Sequence, residues 1–312
     1  MTSSFSTARP SRREAILLAG AAALAPLAGQ AQAAEAILTK PIPSTGERLP
    51  IVGLGTNAYG VADPAELESR KAVLKRMPEL GSTLVDTAAS YGRSEEVIGA
   101  LVKELGNRDK LFIASKFGAT TAEAGRASVA ESLRRLQTDH IDLMQAHNLA
   151  GVDPMMPVLQ ELKAGRTIRY IGVTTSLDRQ HADLAAAMKK HRFDFVQVNY
   201  SIDDREAAET VLPVAQERGV AVLLNVPFGG RRSTLFSRVG GRPLPDLAAE
   251  VGATSWAQFF LKYSLSHPAV TCAIPGMTKT SYLEDNVGAA RGRLPDAALR
   301  KKMEAYWDSL PA

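Results

Sequence analysis

Short apolar runs recur along the chain, each followed by a stretch whose apolar positions fall at helical spacing. The runs cover 51–55, 83–86, 111–115, 141–145, 170–173, 193–199, 220–224 and 270–274. Helical pattern follows over about 94–103, 122–136, 155–164, 178–189 and 205–218, and again near 281–287 and 296–306. Asp63-Pro64 predicts an N-cap with a first-turn proline for the helix after the first run, and Gly81 its end. Before all of these, apolar stretches at 37–39 and 49–52 flank the turn-rich Ser44-Thr45-Gly46-Glu47, a hairpin pattern. Pro50 has no N–H for a ladder and is expected to start the strand after that turn.

Eight strand–helix units predict an α/β protein whose parallel sheet closes into a (β/α)8 TIM barrel, preceded by a β-hairpin. The alternative is an open doubly wound sheet with a G-x-G-x-x-G turn. Gly53-Leu54-Gly55 supplies only half of that fingerprint, and Gly55 also suits close backbone approach. A barrel places functional residues where the apolar runs stop, at the C-terminal ends of the strands.

The 312 residues are 45% hydrophobic and 22% charged, enough apolar material for one large core. Net charge is +4, half of it from Arg9, Arg12 and Arg13 against Glu14 near the N-terminus. The remainder is too small and scattered for a nucleic-acid surface. Residues 1–34 have the order of a cleaved secretory signal: charged region, alanine-rich apolar stretch, then the small residues Ala31-Gln32-Ala33. The adjacent Arg12-Arg13 resembles the twin-arginine address, read by an export machinery that passes folded proteins. The expectation is export to the periplasm after cytoplasmic folding, with no membrane anchor left after cleavage and one domain over 35–312. Cys272, the only cysteine, lies in an apolar run and reads as an inert buried thiol. No His/Cys/Asp cluster has metal-ligand spacing, so no metal is expected.

Three of the apolar runs end in chemistry. Asp86 ends the second, Lys116 follows the third, His147 follows the fourth, and Tyr91 lies in the loop after Asp86. Reducing a carbonyl needs hydride at carbon and a proton at oxygen. A tyrosine can supply the proton, but its ordinary pKa of about 10 is high for neutral pH. A neighbouring ammonium favours the phenolate and is expected to lower that value. An aspartate holds the lysine, and a histidine can hydrogen-bond and orient the carbonyl oxygen. Taken singly, Asp86 with Lys116 suits a structural ion pair, and Tyr91 and His147 suit packing and rim roles. The other histidines, His140, His181, His191 and His267, suit solvated or capping positions.

At these residues the chain resembles the aldo-keto reductases, from about residue 37 to the C-terminus. The segments DTAASYGRSEEVIG, IASKFG and MQAHN carry the family's aspartate–tyrosine, lysine and histidine motifs. IRYIGVTTS, FVQVNYS, NVPFGG and AIPGMTKTSYLEDN resemble its cofactor motifs in the same order. The resemblance implies NADPH across the barrel top and reduction of an aldehyde or ketone, with Tyr91 as general acid assisted by Lys116, Asp86 and His147. It implies cofactor contacts from Gly55, Thr56, Asn57 and Asp86, from Thr174, Thr175 and Gln197 at the carboxamide, and from Asn225, Phe228, Gly229 and Gly230. At the last strand it implies Gly276, Met277, Thr278, Lys279 and Tyr282, with Asp285 and Asn286 on the adenine side. Several positions depart from the pattern. Thr174 and Thr175 replace a serine–asparagine pair, Asn225 an aromatic that stacks on the nicotinamide, and Tyr282 a basic residue. Lys279 is then the candidate for a 2′-phosphate, with Arg231 or Arg232 for the pyrophosphate. A cofactor-binding regulatory or structural subunit with little turnover, and a Schiff-base enzyme using Lys116, are the competing readings. Substrate choice is expected to depend on the loops at 57–62 and 151–157 and on the stretch with Tyr306 and Trp307.

Overall fold

A computed structural model describes residue 2, residues 36–229 and residues 235–311. The chain divides into two units, Met1–Ala34 and Glu35–Ala312. The signal-like segment, Gly230, Arg231 and Arg232 lie outside the described residues.

The unit opens with an antiparallel hairpin, β1 (Thr39–Pro41) and β2 (Arg48–Pro50). Pro50 ends β2 opposite Thr39 and does not start a barrel strand. The chain turns away after it, and the first barrel strand is the two-residue β3 (Leu54–Gly55). Helix α1 (Pro64–Glu79) follows, with the Asp63 side chain accepting from the Glu66 N–H as the Asp-Pro start predicts. The alternation continues through β4 (Leu84–Asp86), α2 (Ser94–Leu105), β5 (Phe112–Phe117), α3 (Ala122–Leu136), β6 (Ile141–Ala146) and α4 (Val152–Ala164). Next come β7 (Ile168–Thr174), α5 (His181–Lys190), β8 (Phe195–Asn199), α6 (Ala207–Arg218) and β9 (Ala221–Asn225). Two short helices, α7 (Leu235–Val239) and α8 (Asp246–Ala249), precede α9 (Trp256–Leu265), and the unit ends with β10 (Val270–Ala273), α10 (Thr280–Gly288) and α11 (Ala297–Ser309).

Strands β3 to β10 pair in sequence order, every neighbour parallel. The ring closes between first and last: Gly53 N–H donates to Ala273 O at 2.8 Å, and Gly55 N–H to Pro275 O at 2.9 Å. Gly55 belongs at this seam because a Cβ there would lie 2.7 Å from Ile274 O. Its lack of a side chain serves the close approach of two strands.

Alternation along each strand gives two cores. Inward residues such as Leu84, Phe112, Leu143, Tyr170, Phe195, Leu223 and Cys272 fill the barrel, while outward ones join the larger core beneath the helices. The hairpin closes the N-terminal end, where Ile42 and Leu49 join the interior cluster and Glu47 pairs with Arg169 and Tyr170 at the start of β7. Lys40 holds it in place, donating to the Leu265, His267 and Val270 carbonyls. His181 departs from the solvated role expected of it: it is 1% exposed, because it opens α5 on the face turned to the protein. Trp307 packs against Phe260 and under the Arg238 guanidinium.

Candidate active site

The closed ring leaves one end for chemistry, and the strand ends deliver it. Asp86 is the last residue of β4, Lys116 lies near the end of β5, and His147 directly follows β6. Lys116 Nζ donates to Asp86 Oδ2 at 2.6 Å and to Thr87 O at 2.8 Å, with Asp86 2% and Lys116 1% exposed. Asp86 also receives the Gln145 and Gln197 amides at 3.4 and 3.5 Å. Burial still dominates and raises its carboxyl above the usual range, against the Lys116 charge and these hydrogen bonds.

Tyr91 covers this pair. Lys116 Nζ lies 5.1 Å from its ring centroid, and the His147 ring meets it edge-on at 6.0 Å between centroids. The phenol departs from expectation. The Lys116 charge and hydrogen bond do pull its pKa down, but burial outweighs them and the net direction is up. Tyr91 is therefore held as a proton carrier, not as a phenolate. His147 is lowered to about 4 by burial and by Lys116, so its ring is neutral at pH 7. Its Nδ1 is 3.3 Å from Ser90 Oγ. The turn after it holds Asn148 and Leu149 at φ of 50° and 62°, and Asn148 Oδ1 accepts the Ser176 N–H, tying the histidine loop to the loop after β7.

A cleft of about 1160 Å³ opens beside this group. Its lining includes Tyr91, Asp86, Gln197 and Asn225, with Gly55, Thr56, Asn57, Phe228, Gly229 and Gly276. Thr174 and Thr175 are buried at the end of β7. The Thr175 hydroxyl is already engaged, donating to Gln180 Oε1 and accepting from the Leu177 N–H. Asn225 donates to Thr175 O at 3.3 Å, and its Oδ1 is buried without a partner.

Residues after β10 divide by role. Met277 is fully buried with its carbonyl on the Tyr59 hydroxyl, and Thr278 O accepts from Ser69 and Arg70. Asp285 is bonded through both oxygens to Ser255 and Gln258 on the α9 side, and Asn286 is buried. Tyr282 is 51% exposed with Lys279 Nζ 5.7 Å from its ring. Those two form a cationic, aromatic edge outside the cleft lining.

Three features were missed from sequence. Gln145 bridges Gln197 and Asp86 from inside the barrel; its place two residues before His147, on the inward phase of its strand, was the available signal. Val226, β-branched yet at φ 42°, lines the cleft in a strained conformation no residue pattern announces. A rim of Asp178, Asp203, Asp204 and Glu206, interleaved with Arg179 and Arg205, borders the cleft and is assembled from two segments apart in sequence. Among the described residues no group of three or more His, Cys, Asp and Glu is arranged to hold a metal ion.

A parallel eight-stranded barrel with a buried Lys–Asp pair beneath a tyrosine and a neutral histidine defines a class, and comparison with known proteins gives its family. The model of the aldo/keto reductase family matches residues 51–306, and the chain belongs to that family. It is 35% identical over 207 residues to the aldo-keto reductase YhdN of Bacillus subtilis; that match spans 59% of this chain and 60% of the relative, under two thirds of its length. It is 26% identical over 306 residues to the aldo-keto reductase yakc [NADP(+)] of Schizosaccharomyces pombe, covering 83% of this chain and 89% of that relative. Among solved structures, an aldo-keto reductase from Klebsiella pneumoniae in complex with NADPH superposes with a TM-score of 0.71 at 25% identity, covering 87% of this chain and 96% of that one.

Proposed function

We propose that the protein is an NADP-dependent oxidoreductase that reduces an aldehyde or ketone to an alcohol, with Tyr91 as general acid. The observation that carries this reading is the sealed Lys116–Asp86 pair under Tyr91, which lines the cleft and has the neutral His147 ring against its own. The residues suit a carboxamide-bearing dinucleotide: Gln197 and the partnerless Asn225 Oδ1 offer amide groups at the cleft. Asn57, Phe228, Gly229 and Gly276 would hold its extended portion, and Lys279 at the open edge favours the 2′-phosphate of NADPH over NADH. When bound, that cofactor supplies hydride.

The chain's own part is proton delivery and orientation. Neutral His147 donates a hydrogen bond to the carbonyl oxygen, which fixes that oxygen near the Tyr91 hydroxyl. Tyr91 passes its proton to the oxygen as negative charge develops there. The Lys116 ammonium below the ring stabilises the phenolate left behind, and Asp86 with Thr87 O keeps that ammonium in place. Lys116 is itself too enclosed for Schiff-base chemistry, being 1% exposed with two acceptors on Nζ.

The test is single-turnover oxidation of bound NADPH by a panel of aldehydes and ketones. Loss of NADPH absorbance with at least one carbonyl is expected. Tight NADPH binding with no oxidation by any of them would replace this reading with that of a cofactor-binding regulatory subunit. We further propose that Arg12-Arg13 directs export of the folded, loaded protein to the periplasm, which its sequence motif supports. In cell fractionation the Arg12→Lys, Arg13→Lys double variant is expected to accumulate in the cytoplasm, and unchanged periplasmic recovery would overturn the assignment.

A further inference from the structure

Gln145 points into the barrel from β6 and is fully buried. In register it stands between Lys116 on β5 and Gly172 on β7. The glycine makes its room: a Cβ at position 172 would lie 2.8 Å from Gln145 Cγ and 3.3 Å from its Oε1. Its Nε2 donates to Gln197 Oε1 at 2.9 Å and to Asp86 Oδ1 at 3.4 Å. Gln197 Nε2 in turn donates to Asp86 Oδ2 at 3.5 Å, the oxygen that also accepts from Lys116. Three side chains from β4, β6 and β8 thus close a ring across the barrel.

The ring removes a choice that amides ordinarily keep. A carboxylate only accepts, so both amides must turn their NH2 groups toward Asp86. Gln197 then has to present its carbonyl to Gln145. Gln145 Oε1 is left buried with no partner, a cost that a leucine in the same space would avoid. A residue kept for packing alone has no use for that orphan.

We propose that Gln145 is a positioning residue, which sets the orientation of the Gln197 amide at the cleft and so links cofactor binding to the Asp86–Lys116 pair. The proposal rests on the functional reading above. Gln197 lines the cleft and Gln145 does not, so Gln145 acts on a bound cofactor only through Gln197.

The experiment is a double-mutant cycle on NADPH affinity, measured by equilibrium fluorescence titration of the full chain. Gln145→Leu is expected to weaken NADPH binding about three- to ten-fold, the size of one neutral hydrogen bond. In a Gln197→Leu background the same substitution is expected to add nothing further. Gly172→Ala keeps Gln145 but crowds its stem, and it is expected to reproduce the weakening. It replaces Gln145→Leu in the cycle if that variant does not fold. Additive effects in the cycle, or unchanged affinity in Gln145→Leu, would overturn the proposal while leaving the reductase reading intact. A wild-type protein that binds no NADPH would overturn both.

Discussion

At the scale of single residues, the site depends on which charges are buried and which are neutral. Lys116 and Asp86 are sealed together, and such a pair repays its desolvation only with good geometry and further hydrogen bonds. Thr87 O, Gln145 and Gln197 supply those bonds. Tyr91 and His147 both keep their neutral forms at pH 7, one as an acid and the other as a hydrogen-bond donor. Tyr91→Phe removes the proton and little else, since the ring keeps its place over Lys116 Nζ. Carbonyl reduction should fall by about 10²–10⁴-fold, the usual share of general acid catalysis, with NADPH affinity unchanged by titration. Retained turnover would transfer the acid role to His147 or to water.

Individual elements depend on backbone closeness that pattern alone does not reveal. Helix α2 crosses α3 where Gly99 faces the last turn of its neighbour. A Cβ at position 99 would lie 2.3 Å from Arg135 O and 2.6 Å from Leu136 C. Alanine would gain roughly 1 kcal/mol in helix propensity over glycine. Overpacking against main-chain atoms costs about 1–3 kcal/mol and wins, because backbone cannot turn aside as a side chain can. Gly99→Ala should therefore lower the urea midpoint, while the fraction that remains folded keeps its catalytic rate. An unchanged or raised midpoint would mean that α2 slides freely over α3.

For the whole molecule, half-buried histidines couple stability to pH. His267 is lowered from its ordinary 6.5 to about 4, by burial and then by Arg300 and Lys40, and His147 falls to about 4 as well. Between those values the unfolded chain binds more protons than the folded one, so stability falls as pH drops from 6.5 toward 4. Asp86, raised in the fold, works in the opposite direction over its own range. Comparing thermal melts of wild type and His267→Gln isolates one histidine, because the Asp86 contribution is common to both. The variant is expected to lose less of its melting temperature than wild type across that window. Parallel profiles would show that His267 charges freely in the folded state. Glutamine keeps an acceptor for the Ala269 N–H that His267 Nδ1 now holds at 3.2 Å.

Much of this was legible from the chain because it is local. Continuous apolar strand runs, helix starts such as Asp63-Pro64 and stops such as Gly219 depend on near neighbours, and they placed the eight strand–helix units correctly. A parallel barrel puts strand ends on one rim, so the sequence alone groups Asp86, Lys116 and His147. Where local and long-range demands compete, the tertiary structure decided. Pro50 went to the hairpin because the seam between β3 and β10 begins after it. His181 was buried by the face of α5 it opens. The tyrosine's direction of titration was settled by burial, which no spacing of residues reports. The Gln145–Gln197–Asp86 ring joins residues 52 and 59 positions apart, and it exists only because Gly172 leaves space between two strands. Sequence determined which groups the protein carries and on which strand ends. Desolvation and contact across the barrel, which depend on everything packed around a group, determined their charge, orientation and partners.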